Sequence, residues 1–332
     1  MKVRFFPCLL ALAALCAPSR APGQAAVLFK NLKWTAHDRV PAGANPYGDL
    51  QGPAIENNRF ALFVSAKGAH IHADMIGKRI PGMQLWRFHE DINRHGHWDW
   101  GEDILNVGTT LAAGTPALLV NGAIKTFDLA QMDSLVIAIP DSTAAHPELR
   151  IWAYGWRAGL PAPVDFRWTL RTRREDRFVQ GEVTISPAAG ATIVVGVIKA
   201  PKAMVRRDSS RAQLAMTGLP TYFNDSAVLA VRSAPAWFRG FMDQDGNVGL
   251  RLQPDAQGTV RWIQGGSWIQ EPQPIWRTAG WESSWLPAPE SPTALRPARA
   301  ERRPGKRTWT LRRLDGRLVT GTRPALPHSG AH

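Results

Sequence analysis

Apolar residues in the middle of the chain recur at every second position in a series of short runs. The clearest run spans residues 164–172, where Val, Phe, Trp and Leu alternate with Asp, Arg and Thr. Strict alternation predicts a β-strand that buries one face and exposes the other to water. Four charged residues at 173–176 lead into a second such run from Arg177, which predicts a β-hairpin.

Other runs of the same kind are short, rich in Val, Ile, Phe and Trp, and separated by turn residues. They predict strands at residues 60–65, 69–75, 117–120, 134–139, 149–154, 191–198, 227–232, 248–253 and 260–264. No segment has a convincing helical period beyond single turns. The expected fold is therefore all-β, a large antiparallel β-sandwich.

One polar stretch, Trp86–Asp103, has neither a strand period nor a helical period. It contains three histidines, five carboxylates and three tryptophans, which predicts a long loop that the sheets hold in place. Just before it, residues 70–74 alternate, so a strand there would present His70, His72 and Asp74 on one face. We expect this strand face and the loop to converge at one end of the sandwich and to form one functional pocket.

The N-terminal segment has the layout of a secretory signal peptide. A basic start is followed by an apolar run over 5–17 and by small residues at 23–25, which predicts cleavage after Ala25 and a periplasmic or secreted protein. A lipoprotein anchor on Cys16 is disfavoured, because the preceding residue is a leucine where a small one is normally required. Both Cys8 and Cys16 leave with the signal, so the mature protein has no disulfide and no thiol nucleophile.

The formal net charge of +13 is distributed unevenly. Residues 286–332 hold ten Lys or Arg against three acidic residues and are rich in Pro and Ala. This composition predicts a disordered or loosely attached tail over 288–332, with a small hairpin around Leu314–Gly316 as the exception, after a β-sandwich domain at 26–287. A basic tail on a near-neutral body is only weak evidence for nucleic acid; a solvated tail is the favoured interpretation, and no nucleic-acid partner is expected. No run after the signal is apolar and long enough to span a membrane.

Histidine and carboxylate side chains of the two polar segments are the candidates for catalysis. Two imidazoles on one strand face can act as acid and base or can bind one metal; the alternative is that they are exposed strand residues with ordinary hydrogen bonds. Asp103 precedes an apolar pair, so a turn or capping role competes with catalysis at this position. The candidate catalytic residues are His70, His72, Asp74, His97 and Asp103.

The loop histidines also offer nitrogen ligands to a divalent metal such as Zn²⁺. Their spacing matches no zinc motif, so a solvated polar loop is the competing interpretation, and the sequence requires no cofactor. The candidate ligands are His89, His95 and His97. The chain lacks a phosphate loop, a dinucleotide fingerprint and a Gly-x-Ser-x-Gly motif, which disfavours nucleotide enzymes and ordinary serine esterases.

Tryptophan is abundant, with fourteen residues, and its ring offers a flat amphipathic surface on which a sugar can stack. Trp152, Trp156 and Trp168 fall on or beside predicted strands and are expected in the core. The tryptophans of the polar loop are expected to offer stacking faces for a sugar, and those at residues 262–285 to line a groove.

Several short motifs follow one another in order, at residues 52–57 (GPAIEN), 77–78, 81–82 and 99–108 (DWGEDILNVG), with fainter similarity at 195–199, 247–250 and 266–268. Over about residues 36–287 the sequence resembles a bacterial domain-of-unknown-function family, number four-eight-six-one. The resemblance implies a β-sandwich like those of the galactose mutarotase superfamily and a role beside enzymes that degrade pectin and other uronic-acid polysaccharides. It supplies no mechanism, but four residues occupy positions that match the family motifs: Glu56, Asp74, Trp100 and Asp103.

These features together predict an exported carbohydrate-active enzyme that acts on uronate-containing or related oligosaccharides by proton transfer with a His and a carboxylate. An epimerase, a lyase or a hydrolase would each fit. The alternative is a non-catalytic carbohydrate-binding protein with a tryptophan-lined groove. The candidate substrate-binding residues are Glu56, Arg87, Trp98, Trp100, Lys199 and Trp268.

Overall fold

The computed structural model describes residues 24–30, 33–35, 37–41, 52–67, 70–87, 96–188, 190–219, 225–275, 286–289, 306–312 and 318–324. The chain divides into two compact units, residues 1–290 and residues 291–332. Within the described ranges, no helix is long and apolar enough to cross a membrane.

The first unit is built almost entirely from β-strands. Its strands are β1 (Ala26–Lys30), β2 (Lys33–Thr35), β3 (His37–Pro41), β4 (Gly52–Glu56), β5 (Phe60–Lys67), β6 (His70–Lys78), β7 (Gly101–Asp103), β8 (Ala113–Val120), β9 (Ala123–Lys125), β10 (Phe127–Asp128), β11 (Ser134–Asp141), β12 (Glu148–Trp156), β13 (Val164–Arg171), β14 (Val179–Ser186), β15 (Thr192–Ile198), β16 (Met204–Asp208), β17 (Gln213–Gly218), β18 (Ala227–Ser233), β19 (Phe238–Gln244), β20 (Asn247–Leu252) and β21 (Thr259–Trp268). The helical residues of this unit that the structure describes belong to 3-10 turns such as residues 85–87 and Leu129–Gln131.

The second unit contains an antiparallel hairpin. Its strands are β22 (Lys306–Arg312) and β23 (Leu318–Pro324).

The strands of the first unit form three sheets in which neighbouring strands run antiparallel. One sheet has the order β10-β6-β5-β4-β1-β2, with β7 added to β6; the second has the order β16-β17-β18-β21-β14-β13-β12-β11-β3; the third has the order β19-β20-β15-β8-β9. The prediction of an all-β fold built from antiparallel sheets is confirmed.

The alternating run at 164–171 illustrates why these residues form strands. Its apolar positions are all buried, whereas Arg167 and Arg171 point to the other face and remain partly exposed. The predicted hairpin is also present, because β13 pairs with β14 in a regular antiparallel register from Asp165 to Arg171. An in/out alternation of this kind sets the register, since a slip by one residue would turn every apolar side chain to water.

One hydrophobic core joins the three sheets. Met75 of β6, Trp168 of β13 and Val195 of β15 belong to the same buried cluster. Its aromatic part includes Phe127, whose ring stacks on that of Trp156 with a centroid distance of 5.0 Å. These rings fix the inner face of the sheet that contains β6.

The opposite face of that sheet carries a second, smaller apolar cluster. Side chains of β4, β5 and β6 meet Leu85, Trp98 and Trp100, which come from the polar stretch that follows β6. The described parts of this stretch therefore cover the outer face of the sheet and position the candidate site.

Candidate functional site

A buried ion pair fixes the beginning of the polar loop. Lys78, at the end of β6, donates from Nζ to Oε2 of Glu56 at 2.5 Å. The same Nζ donates to the carbonyl oxygens of Asn57 and Gly82 at 2.6 and 2.7 Å. The Glu56 carboxylate also accepts hydrogen bonds from the backbone N–H groups of residues 84–85, at 2.8 and 2.9 Å. Both side chains are fully buried, so this pair fastens the loop to the sheet from inside.

Two stacked tryptophans fasten the returning arm of the loop. The rings of Trp98 and Trp100 lie 5.1 Å apart between centroids, and both residues are buried. They pack in the small cluster against Phe63 and Ile76 on the outer face of the sheet. The arm is therefore held by apolar burial, which places His97 just before it and Glu102 just after it.

Glycines allow the arm to pair with β6. Gly101 lies opposite Lys78 in the β6–β7 ladder, and a Cβ at this position would come within 2.4 Å of the carbonyl oxygen of Gly77. Gly77 in turn faces the buried indole of Trp268, where a Cβ would come within 2.5 Å of the ring. Since real Cβ atoms do not approach other atoms so closely, β6, β7 and β21 meet here only because both positions lack a side chain.

A histidine and a carboxylate meet at this junction. His97 and Glu102 form an antiparallel bridge, and Nδ1 of His97 lies 2.9 Å from Oε2 of Glu102. The imidazole is 53% exposed, whereas the Glu102 side chain is only 2% exposed. A buried carboxylate at Nδ1 orients an imidazole and favours the proton on that nitrogen, which leaves the lone pair on Nε2.

Arg79 binds the same carboxylate oxygen as His97. Its Nη2 donates to Oε2 of Glu102, and its Nη1 donates to the carbonyl oxygens of Trp98 and Gly101 at 3.1 and 3.3 Å. Oε1 of Glu102 is buried and accepts no hydrogen bond from the part of the chain that the structure describes. The carboxylate therefore retains the capacity to accept one further donor.

Arg79 also connects β6 to the end of β21. Its guanidinium lies over the indole of Trp268, 5.0 Å from the ring centroid, and its Nε donates to Oε1 of Gln270 at 2.9 Å. Trp268 donates from Nε1 to Asp225 at 3.2 Å, and Gln270 donates to the same carboxylate. We call the set Arg79, His97, Glu102, Asp225, Trp268 and Gln270 the junction site, because it lies where the ends of β6, β7 and β21 meet.

Arg87 and Asp99 form an ion pair near the junction. Nη2 of Arg87 donates to both oxygens of Asp99 at 2.8 Å, and these hydrogen bonds hold the pKa of Asp99 below its ordinary value. The Asp99 side chain is largely exposed. The pair therefore orders the surface of the loop and contributes little to stability.

The three polar residues of β6 lie at alternate positions along the strand, with Asp74 nearest to the junction and His70 farthest from it. His70 stands opposite Asp128 of β10 and contacts the Thr126 hydroxyl at 3.2 Å. His72 is buried, and Asp74 accepts a hydrogen bond from the N–H of Met75 at 2.8 Å.

The geometry of the strand decides how far His70 is from the loop. Asp103 pairs with Ile76, six residues beyond His70, which corresponds to about 20 Å along an extended strand. The expected alternation is present, because His70, His72 and Asp74 occupy alternate positions of one strand. Direct hydrogen bonds, however, cannot join the His70 end to the junction site.

Several predicted binding residues have structural positions instead. Glu56, Trp98, Trp100 and Trp268 are buried, with Trp268 under the guanidinium of Arg79. A buried ring presents no face to a sugar, so these indoles stabilise the junction from below and do not act as stacking platforms in this structure. Lys199 pairs with Asp243 at 2.8 Å, at the β15 and β19 ends of another sheet.

The tryptophan assignments divide in the same way. Trp156 and Trp168 are in the core as expected, and Trp152 is partly exposed. Trp262 is buried, contrary to the expectation that it lines a groove. Among the tryptophans whose burial the structure describes, only Trp86 and Trp152 are outside the buried class.

His97 is the one candidate metal ligand that falls on described residues, since His89 and His95 lie outside them. Over the described ranges, no group of three or more His, Cys, Asp or Glu side chains is arranged to hold a metal ion. The described part of the junction thus offers one imidazole and one buried carboxylate for chemistry.

Sequence reasoning missed Arg79, Glu102, Asp225 and Gln270. Glu102 carried a usable signal, because it is one of the five carboxylates of the polar stretch and alternates with Asp103 on a short strand. Arg79 and Gln270 gave no signal in the sequence, since their contact joins positions that are 191 residues apart.

The family model described as a domain of unknown function, DUF4861, matches residues 27–286. The chain belongs to this family. The match confirms the resemblance inferred from the short motifs and extends over nearly the whole first unit. Among curated proteins, no sequence matches this DUF4861 chain significantly.

Solved structures share only remote similarity with this DUF4861 chain. A protein assigned as a kojibiose phosphorylase from the human microbiome has 6% identity and a TM-score of 0.41, covering 77% of this chain and 35% of that one. Heparinase III has 8% identity and a TM-score of 0.32, covering 70% and 37%. A protein assigned as an aldose 1-epimerase from Klebsiella pneumoniae subsp. pneumoniae MGH 78578 has 10% identity and a TM-score of 0.32, covering 75% and 88%. This chain thus spans about a third of the length of the first two structures.

Proposed function

We propose that this DUF4861 protein is an exported carbohydrate-active enzyme that transfers a proton at a ring carbon or anomeric centre of uronate-containing oligosaccharides. The observation that carries the proposal is the half-exposed His97, whose Nδ1 is held by the buried Glu102. The layout of the N-terminal segment, with its basic start, apolar run and small residues, supports export.

His97 is the group that would take the proton. With Nδ1 donating to Glu102, Nε2 carries the lone pair of a half-exposed ring, as a general base requires. The carboxylate stabilises the imidazolium that forms when the proton arrives, in the same way that a buried acid supports a catalytic histidine elsewhere. The proton removed would be either the C–H proton on the ring carbon next to the carboxylate of a uronate, which that group acidifies, or the proton of an anomeric hydroxyl.

Arg79 is a positioning residue in this scheme. Four acceptors and the indole of Trp268 hold its guanidinium. This fixed cation keeps Glu102 aimed at His97 and compensates the buried negative charge.

The burial of the tryptophans favours an enzyme over a binding protein. A binding protein that grips sugars by stacking needs exposed indole faces, and in the described part of the chain only Trp86 and Trp152 are outside the buried class. An exposed histidine held by a buried carboxylate, as in the His97–Glu102 pair, is by contrast an arrangement that acid–base catalysis uses.

The test is a screen of the purified mature protein against saturated and unsaturated uronate oligosaccharides, with and without chelator, followed by variants of the dyad. His97→Asn and Glu102→Gln are expected to lower turnover by about a hundredfold or more, with little change in the thermal midpoint for His97→Asn. The matched control is His146→Asn, an exposed histidine in the turn before β12, which should retain full activity. Full activity in His97→Asn would contradict the catalytic role.

A further inference from the structure

The outer face of the nine-stranded sheet carries an unusual density of arginine. Side chains that alternate with the core positions of β12, β13, β14 and β21 point away from the core. In register across these strands, Arg150 stands opposite Thr169, then Glu182, then Arg261. We call the following set the arginine face: Arg150, Arg167, Arg171, Arg261, Glu148, Glu182 and Trp152.

Glu148 and Glu182 on this face are shared among four guanidinium groups. Nε of Arg171 lies 2.9 Å from Glu148, which also accepts from Arg150. Nε of Arg261 lies 2.7 Å from Glu182, with Arg167 and Arg171 of the neighbouring strand at 3.7 and 4.0 Å. Asp165 of β13 lies on the same face, two residues before Arg167, so four arginines and three carboxylates give the face a local charge of +1.

Hydrogen-bond capacity on the face is also unbalanced. Each guanidinium carries about five N–H donors and each carboxylate accepts about four hydrogen bonds, so the four arginines have many more donors than the two glutamates can accept. The Arg171 and Arg167 side chains are 42% and 29% exposed, so part of this excess points to solvent. An anion that binds here would meet guanidinium groups already oriented by their own ion pairs.

An aromatic ring lies beside these charges. Trp152 of β12 stands directly opposite Arg167 of β13 and is partly exposed. Four neighbouring strands at ordinary spacing make a platform about 14 Å wide. Planar donors that match carboxylates, next to an indole on which a sugar ring can stack, fit a polymer that alternates anionic groups with sugar rings.

We propose that the arginine face binds an anionic polysaccharide, such as a polyuronate, at a site separate from the junction site. Nucleic acid is a poorer match, because duplex DNA carries one negative charge per about 1.7 Å and its affinity depends on many cations that neutralise phosphates, whereas this face has a small net positive charge. The proposal does not depend on the catalytic role of His97.

The test is retardation of the full mature chain in native gels that contain de-esterified polygalacturonate, with neutral galactan as the comparison polymer. We expect retardation by the polyuronate alone, and a loss of affinity of about tenfold or more in Arg167→Gln/Arg171→Gln, which removes two charge-assisted donors. The matched control, Arg239→Gln/Arg251→Gln, changes the net charge equally at exposed arginines of the sheet that contains β19 and β20 and should bind like the unaltered protein.

A second variant tests the proposal even if Arg167→Gln/Arg171→Gln fails to fold. Gln180 is exposed and stands opposite Arg171, so Gln180→Glu adds a negative charge to the face without removing any existing ion pair, and it should also weaken binding. His97→Asn should bind normally, which separates this site from the proposed catalysis. Equal retardation of all variants would overturn the proposal, and so would equally strong binding of DNA or of anionic lipid vesicles at the same ionic strength.

Discussion

Replacing Lys78 with methionine is expected to destabilise the first unit more than any exposed ion-pair change. Lys78 donates from Nζ to Glu56 at 2.5 Å and to two carbonyl oxygens at 2.6 and 2.7 Å, and neither charged side chain is exposed. Methionine fills a similar volume but leaves the Glu56 carboxylate buried with only two backbone N–H donors. Breaking a buried pair in this way costs about 3–5 kcal/mol in the free energy of unfolding.

The assay is a double-mutant cycle read by denaturant and thermal unfolding. At about 2–4 °C per kcal/mol for a domain of this size, Lys78→Met should lower the thermal midpoint by about 10 °C. Adding Glu56→Gln removes the stranded charge while its amide oxygen still accepts from one of the two N–H groups of residues 84–85, so the double variant should lose less than the sum of the single variants. Arg157→Met is the matched control: its pair with Asp133 is 57% and 60% exposed and should be worth about 1 kcal/mol or less.

Two results would refute this reasoning. One is a loss in Lys78→Met no larger than that in Arg157→Met, since the burial of the pair would then have no energetic consequence. The other is strict additivity between Lys78→Met and Glu56→Gln, since the two side chains would then not interact. Either outcome would also remove the explanation of how the polar loop is fastened to the sheet.

Three further predictions test other parts of the structure. Burial raises the pKa of Glu271, although hydrogen bonds and charge contacts with Ser267 and Arg177 lower it. The stability that the protonated form contributes is therefore complete below the ordinary carboxyl pKa and is lost as pH rises through the raised pKa. The thermal midpoint of Glu271→Gln relative to wild type should improve from pH 4 to pH 7, and a constant difference would contradict the burial argument. Gly77→Ala should lower both the thermal midpoint and any activity, because a Cβ would come within 2.5 Å of the buried indole of Trp268; Gly122→Ala, with no atom within 4 Å of its Cβ but a positive φ, serves as a control for backbone strain alone. Removal of residues 291–332 should leave the midpoint of the first unit nearly unchanged, because these residues form a separate compact unit, and a large drop would show that the second unit supports the first.

The sequence predicts the sheets well because their signal is local. Alternation within residues 164–171 sets which side chains are buried and places β13 beside β14. The same alternation places His70, His72 and Asp74 along one strand. Alternation does not give the position of the polar loop along that strand, and this position separates the His70 end from the junction by about 20 Å.

The tryptophans show a different limit of sequence reasoning. A tryptophan between polar residues has the composition of a binding loop, yet Trp98 and Trp100 stack on each other and pack on the outer face of the sheet. Composition cannot distinguish these cases, because a sheet with two apolar faces needs a cover on each of them. Ala54, Phe63 and Ile76 were the available signal: they make the outer face of β4, β5 and β6 apolar, which requires burial by some other segment.

Exposure assigns different roles to neighbouring residues of the polar loop. Trp98, Trp100 and Glu102 are buried and hold the arm in place, whereas His97, which precedes them in the sequence, is half exposed. A histidine with a purely structural role would gain by burying its ring with the other three, since the cluster that would receive it is adjacent. Its ring is instead half exposed while Nδ1 is fixed by a buried carboxylate, an arrangement that restricts the orientation of the ring and leaves part of it accessible to solvent. Restricted orientation with retained access is what proton transfer requires of a general base, and for this reason the first substitution to make in this chain is at His97.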